Sequence, residues 1–152
     1  MSADALSTSS LSQIRQVFEG LEPAPAHMRV GFFQASFIGP IWLRATAGPS
    51  IALSGLPGWR GKRFLDAETA TNVLDRKGGV IEKLRMQCRE GRSLIDGRPG
   101  VALHYGEDAA LPWRWIVDEL RVLNESTLLG MTVINLPLLR CLALPFLLRR
   151  ES

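Results

Sequence analysis

The sequence predicts a mainly β fold of the α+β class. It is a small antiparallel β-barrel, lipocalin-like in architecture, with a short N-terminal helix and an apolar C-terminal segment. Leu84, Met86 and Cys88 alternate with polar residues, a period of two that is typical of a half-buried strand. Glycine turn signals at Lys77-Gly78-Gly79 and Asp96-Gly97 separate such segments and favour hairpins. No strand–helix–strand rhythm occurs, which favours an antiparallel sheet, and closure into a barrel removes its exposed edges.

The N-terminal region predicts one helix. Residues 1–9 are small and polar, so we expect them to fray. Ser10 and Gln13 have the spacing of a capping box, which predicts a helix over residues 11–20 that Gly20 and Pro23 end. A proline-rich linker follows over residues 22–26. We therefore divide the chain into a helix with its linker, residues 1–27, and a barrel domain, residues 28–152.

The remaining chain reads mostly as strands. They are predicted over residues 29–38, 59–64, 71–75, 84–89, 101–105, 115–123 and 128–134, with a bulge or a close backbone approach at Gly31. Residues 41–57 are apolar but interrupted by Gly48-Pro49, and the pattern does not assign them. Residues 138–148 form either a helix over one barrel mouth or a last strand. Pro145 requires any such helix to end before Leu144.

Composition excludes several classes of protein. The chain has 152 residues, 46% hydrophobic and 22% charged, which indicates a globular domain able to bury a core. A net charge of +3 without a dense basic block does not predict nucleic-acid binding. The N-terminus lacks the pattern of a secretory signal, so we expect a cytoplasmic protein in which Cys88 and Cys141 are reduced core thiols. The apolar stretch 136–148 is shorter than the ~20 residues of a membrane span.

The sequence lacks the motifs of several common chemistries. No glycine pattern matches a phosphate loop or a dinucleotide fingerprint, and no G-x-S-x-G marks a nucleophilic serine. His27 and His104 are the only histidines, which excludes a zinc centre with several histidine ligands. We therefore predict neither a metal nor a cofactor.

Two aromatic features are candidates for a site. Trp59 stands between Gly58 and Gly61, and glycines allow neighbouring backbone to approach a large ring. Its ring either lines a cavity or is ordinary core. Trp113 belongs to a cluster that also includes Trp115, and this cluster is either a ligand gate or rim packing.

Asp118 is the charged residue of most interest. It lies on an apolar face of its predicted strand, where a carboxylate needs a partner, and Arg85 or Lys62 would provide one. A purely structural ion pair is the alternative interpretation. Glu119 points to the opposite face, so the two carboxylates cannot form a catalytic dyad. We expect Glu119 and Arg121 to form a solvated or edge pair.

An ordered set of motifs resembles a known family. The chain carries W-x-G-K-x-F, L-R-M, Y…D-x-x-R, T-L-L-G-x-M and P-F…L-R-R elements between residues 59 and 150. Their order is similar to that of the GXWXG-type family of uncharacterised bacterial proteins with its appended domain of unknown function. At the position of the naming motif, Phe33 replaces its tryptophan and Ala35 its last glycine. The resemblance covers roughly residues 28–150; it supports the fold and implies no assigned activity.

These observations leave three hypotheses of function. The first is binding of a small apolar molecule inside the barrel, with candidate contacts at Trp59, Lys62, Arg85, Met86, Tyr105, Trp113, Asp118 and Met131. The second is a barrel enzyme, such as an isomerase, cyclase or hydratase, that uses Asp118 with Arg85. The third is a membrane-surface or protein-interaction module that uses residues 138–150, for which core packing or a homodimer contact is the alternative.

Overall fold

Eight antiparallel strands close into one barrel in the computed structural model, which describes residues 2–151. Each strand pairs with the next in the chain, and the last pairs with the first. The strands are β1 (Gly31–Phe37), β2 (Trp59–Asp66), β3 (Thr69–Arg76), β4 (Gly79–Arg92), β5 (Pro99–His104), β6 (Ile116–Asn124), β7 (Thr127–Ile134) and β8 (Ala143–Arg150). The predicted mainly β barrel is confirmed. The first residue of the predicted segment 1–27 and the last of 28–152 lie outside the described residues.

The predicted turns join the strands. Gly78 and Gly79 have φ values of 90° and 151°, and they connect β3 to β4. Gly97, with a φ of 73°, lies in the turn between β4 and β5. Glycine is required there because a side chain disfavours positive φ. Gly31 also has a positive φ, of 76°, but an added Cβ would meet no atom within 4 Å. Its role is therefore conformational, and the predicted close approach at this residue is wrong.

Two N-terminal helices pack on the outside of the barrel. They are α1 (Ala3–Leu6) and α2 (Leu11–Glu19), and the capping box at the start of α2 is present. Ile14 and Phe18 of α2 are buried in a cluster with Leu129 and Leu147, which face outward from β7 and β8. Leu6 is completely buried in the same cluster, so the expectation that residues 1–9 fray is wrong for residues 2–9.

A buried polar cluster fixes this helical layer to the β4–β5 turn. Arg121 donates to both carboxylate oxygens of Asp96, at 2.7 and 2.8 Å, and to the carbonyl oxygen of Phe18. The carboxylate of Glu119 accepts from the Ser93 hydroxyl, at 2.5 Å. The predicted solvated pair of Glu119 with Arg121 is wrong. Both residues are buried because α2 and the turn cover this outer face.

The unassigned and ambiguous segments take defined structures. Residues 41–57 contain a third helix, α3 (Ile41–Leu53), which joins β1 to β2. The C-terminal segment forms β8, and Pro145 precedes Phe146, the first β8 residue that pairs with β1. The missing N–H of that proline therefore does not interrupt the β1–β8 ladder. Within residues 2–151 no helix is long and apolar enough to cross a bilayer.

The two halves of the barrel interior differ. In the half away from α3, apolar side chains fill the interior, among them Phe33, Phe64, Leu103, Leu120, Leu128 and Leu148. The 3-10 turn Ala26–Met28 adds Met28 to the same core. Cys88 is also buried there, whereas Cys141 is exposed, so only one of the two free thiols is a core thiol. The half below α3 contains a cavity.

Candidate functional site

The cavity occupies the end of the barrel that α3 covers. Its volume is about 410 Å³. α3, the start of β2, the β5–β6 loop and the start of β8 contribute most of its wall, and Leu142 of the β7–β8 loop adds to it. Trp42 and Leu142 belong to this wall and are 54% and 44% exposed. The cavity therefore reaches the surface between α3 and the β7–β8 loop.

Aromatic rings form much of the wall. The ring of Trp59 lies 5.7 Å from that of Phe37 and 6.3 Å from that of Phe146. Trp113 lies 5.2 Å from Tyr105, and its indole N–H donates to the carbonyl oxygen of Ser54, at 2.7 Å. That bond ties the β5–β6 loop to the residue that ends α3. The rings are therefore held in place around the cavity.

A bulge places Trp59 and Lys62 on the same side of β2. Residues three apart point to opposite faces of a regular strand. Trp59 pairs with Leu74 and Gly61 with Val73, so Arg60 is an extra residue that shifts the register. Gly61 is required here because a Cβ would lie 2.1 Å from the carbonyl oxygen of Phe33. The bulge turns both the indole and the ammonium group into the barrel.

Lys62 is the centre of the buried polar group. Its ammonium nitrogen lies 3.0 Å from Asn72 Oδ1, 3.1 Å from the Tyr105 hydroxyl and 3.0 Å from Asp118 Oδ2. The thioether sulfur of Met86 is a fourth neighbour, at 3.4 Å. An ammonium group has three N–H donors, so Lys62 has no donor left for a further partner.

Asp118 completes the group from the facing strand. It accepts from the Thr132 hydroxyl, at 2.7 Å, because the two residues are paired across β6 and β7. Each of its oxygens has one partner among the described residues, and a carboxylate oxygen can accept more than one hydrogen bond. Asp118 and Lys62 are almost fully buried, and the ion pair neutralises both charges.

Burial and mutual contact change the ionisation of this group. Burial alone would lower the pKa of Lys62, but Tyr105 and Asp118 more than offset it, so the pKa is raised above 10.5. Burial raises the pKa of Tyr105 above 10.0, although the ammonium of Lys62 opposes the change. At neutral pH the group therefore holds a charged lysine beside a neutral phenol.

Five of the eight sequence-predicted residues line the cavity: Trp59, Lys62, Tyr105, Trp113 and Asp118. Met86 is inside the barrel and touches Lys62. Arg85 is exposed outside it, at a register shift in β4 where Leu84 and Arg85 together oppose one residue of β3. Met131 is buried against α2 on the outer face. The predicted roles of Arg85 and Met131 in a ligand site are therefore wrong.

The sequence reasoning missed two polar residues and the helix that covers them. Asn72 shares the inward face of β3 with Ala70 and Leu74, both fully buried. A polar residue on an apolar face is the signal that identified Asp118, and it applies equally to Asn72. Thr132 is found only through its pairing with Asp118 across the hairpin. The contribution of α3 had no comparable signal.

Comparison with known proteins supports the fold. A crystal structure of a protein from Thermomonospora curvata matches with a TM-score of 0.73 and 21% identity. The match covers 98% of this chain and 93% of that one. No protein-family model matches the chain, and no curated protein matches it. The resemblance to the GXWXG-type family therefore stays a prediction.

Proposed function

We propose that this chain binds a small, mostly apolar molecule in the barrel cavity and holds one neutral polar group of it against Asp118. The observation that carries the proposal is the cavity itself. It has mostly apolar walls that include several aromatic rings, and its charged residues, Lys62 and Asp118, lie together in one buried polar group. Its volume of about 410 Å³ suits a small organic ligand, because such sites span about 300–1,000 Å³. The cytoplasmic location and the homodimer stay predictions.

The hydrogen bonds of the polar group select the ligand chemistry. Lys62 has no free donor, whereas Asp118 can accept a further hydrogen bond. The Tyr105 hydroxyl has its own nearest acceptor, Asn72 Oδ1, at the long distance of 3.5 Å. The site therefore suits a ligand group that donates to Asp118 and accepts from Tyr105, as an alcohol does. A ligand carboxylate would meet the negative charge of Asp118 without gaining an ammonium donor.

Displacement of a fluorescent probe tests this chemistry. N-phenyl-1-naphthylamine is neutral and apolar, and its emission rises in an apolar site. We expect the probe to bind and 1-decanol to displace it at lower concentration than decane or decanoate does. If decanoate displaced the probe as well as 1-decanol did, the proposed polar contact would be wrong. If the probe did not bind, and native mass spectrometry with 1-decanol found no complex, the binding function would be wrong.

A matched pair of variants tests the location. Ala47 lines the cavity from α3, whereas Ala45 lies on an exposed part of the same helix. We expect Ala47→Trp to fill the cavity and abolish probe binding. Ala45→Trp adds the same ring to the same helix and should bind as the wild type does. Equal binding by both variants would place the ligand elsewhere.

An enzyme is the second candidate, because Asp118, Lys62 and Tyr105 all line the cavity. A carboxylate beside an apolar ligand suits proton abstraction next to a carbonyl, as an isomerase or cyclase requires. Deuterium exchange into 2-decanone in deuterated water would detect that step. Exchange faster with wild type than with a folded Asp118→Asn variant would support it. Equal exchange with both proteins would rule out this catalytic step and leave ligand binding as the only proposed function.

A further inference from the structure

Exposed apolar side chains are concentrated around the mouth of the cavity. Among residues 2–151, twelve large apolar side chains are exposed, and seven of them lie on the three loops that surround the mouth. We call these seven the apolar rim. α3 contributes three of them and the β7–β8 loop another three: Ile41, Trp42, Leu53, Leu138, Leu139 and Leu142. Leu111 of the β5–β6 loop completes the rim.

α3 exposes apolar side chains along its whole length. It carries one charged side chain, Arg44, and is otherwise mostly apolar. Only Leu43 of its thirteen residues is buried. Ile41 is 74% exposed and Leu53 is 91% exposed. A helix that is apolar on most sides is usually buried in protein or in lipid, so the exposed sides of α3 lack a partner in the isolated chain.

The charge at this end of the barrel is positive. The loops at the cavity end carry four basic residues, Arg44, Lys77, Arg114 and Arg140. The same loops carry two acidic residues, Glu107 and Asp108. These loops therefore carry an excess of two positive charges. The excess charge therefore surrounds the apolar rim.

We infer that the apolar rim docks on the surface of an anionic lipid bilayer. The rim consists of leucine, isoleucine and one tryptophan, and basic residues lie on the same end of the barrel, a composition typical of segments that lie at the membrane interface. A second copy of the chain fits less well, because a two-fold contact would bring the two positive rims together. The inference is independent of the proposed function. If both hold, a ligand can pass from the bilayer into the cavity without crossing water.

Vesicle flotation with a matched pair of variants tests the apolar contribution. We expect wild-type protein to float with vesicles of equal parts phosphatidylcholine and phosphatidylserine. The rim variant carries Ile41→Asp and Leu53→Asp, neither of which lines the cavity. The control variant carries Val30→Asp and Leu65→Asp, also exposed but at the opposite end of the barrel. Only the rim variant should stay at the bottom of the gradient. Deletion of residues 138–150 would be uninformative, because it would also remove β8.

A second pair of variants tests the charge. Each basic residue near an anionic membrane surface contributes about 1 kcal/mol to binding. Arg114→Gln with Arg140→Gln should therefore lower partitioning about 30-fold. Arg85→Gln with Arg92→Gln removes the same charge from exposed positions off the rim and should change it less than about 2-fold. Equal losses in both pairs would mean that net charge alone drives binding, which contradicts docking through the rim.

Cys141 provides a reporter that needs no substitution in the rim. It is exposed in the β7–β8 loop, whereas Cys88 is buried. An environment-sensitive fluorophore on Cys141 should shift to the blue when phosphatidylserine vesicles are added. The same fluorophore at Leu65→Cys in a Cys141→Ser background should not shift. Absence of flotation and of the shift would overturn the inference. A dimer in solution that only the rim variant dissociates, without vesicle binding, would also overturn it, in favour of a second copy.

Discussion

Removal of the charges of the buried Lys62–Asp118 pair, singly and together, tests how the cavity is built. Lys62→Met removes the ammonium and keeps most of the side-chain length. Asp118→Asn keeps the shape of the carboxylate without its charge. Each single variant leaves one charge buried without its partner, whereas the double variant leaves neither. The structure therefore predicts that the two substitutions are strongly non-additive.

The expected loss of stability follows from the distance between the two charges and from their burial. The ammonium nitrogen lies 3.0 Å from Asp118 Oδ2. Two unit charges at that distance attract by about 5 kcal/mol at an effective dielectric constant of about 20. Breaking a buried pair from one side costs about 3–5 kcal/mol, which is a large part of the ~5–15 kcal/mol stability of a domain. We expect the double variant to lose about 2 kcal/mol or less, because no charge stays unpaired.

Urea unfolding followed by tryptophan fluorescence measures the four stabilities of this cycle. Arg63 and Glu82 provide a matched control, because they pair at 3.1 Å on the surface, with side chains 38% and 43% exposed. The cycle of Arg63→Met with Glu82→Gln should give a coupling energy below ~1 kcal/mol. The distance is nearly the same in both pairs, so the difference between the cycles measures the effect of burial.

Two results would contradict this reasoning. If the losses of Lys62→Met and Asp118→Asn added to within about 0.5 kcal/mol, the residues would not be coupled. If each single variant lost less than ~1 kcal/mol, the pair would behave as a solvated one. A single variant too unstable to fold would support the prediction, provided that the double variant folds.

Three further predictions follow from individual contacts. Arg121 donates to Asp96 and lowers the pKa of that carboxyl from 3.8 to about 2. The stability that this contact contributes above pH 3.8 should therefore fall by about 2 kcal/mol as the pH drops through 2. Acid unfolding of Asp96→Asn should lack this step. Tyr105 is the only tyrosine, and burial raises its pKa, so its phenolate absorbance should titrate above 10.0 in the native protein and near 10.0 in denaturant. Because the native state holds this proton more tightly, stability should decline as the pH rises above 10.0. Gly130→Ala would place a Cβ 2.3 Å from the ring of Phe146 and should lower the free energy of unfolding, measured by thermal unfolding, by about 1–3 kcal/mol. The control is Gly91→Ala, whose Cβ would meet no atom within 4 Å and should change the free energy of unfolding by less than about 1 kcal/mol.

Most of the barrel could be predicted because its signals are local. Period-two alternation and glycine turns depend on neighbours in the chain, and they identified β3 to β7. α3 could not be predicted in this way, because Gly48 and Pro49 interrupt a segment that carries no clear polar face. The burial of Arg121 was also missed, since α2 covers it from more than 100 residues away along the chain. No local pattern reports a contact of that kind.

Local sequence patterns also left part of the candidate site undetermined. Asp118 was identified because a charge on an apolar face needs a partner, and Lys62 was one of two partners that the sequence allowed. The choice between Lys62 and Arg85 depended on which side of its strand each residue faces. The bulge at Arg60 turns Lys62 inward, whereas Arg85 lies at a register shift in β4, between Met86 and Lys83, and is exposed outside the barrel. A single extra residue in a strand therefore changes which charge enters the cavity.

The polar group itself is an argument that the cavity has a use. In the other half of the barrel, apolar side chains form the interior. Replacing a buried ion pair by packed apolar residues is often neutral or stabilising, so stability alone does not explain why Lys62, Asn72, Tyr105, Asp118 and Thr132 lie here. A role in holding a ligand does explain it. The double variant Lys62→Met with Asp118→Asn should then fold and yet prefer 1-decanol over decane less than the wild type does, because the charged acceptor is lost. If it kept the full preference of the wild type, the ion pair would be structural, and the proposed contact with the Asp118 carboxylate would be wrong.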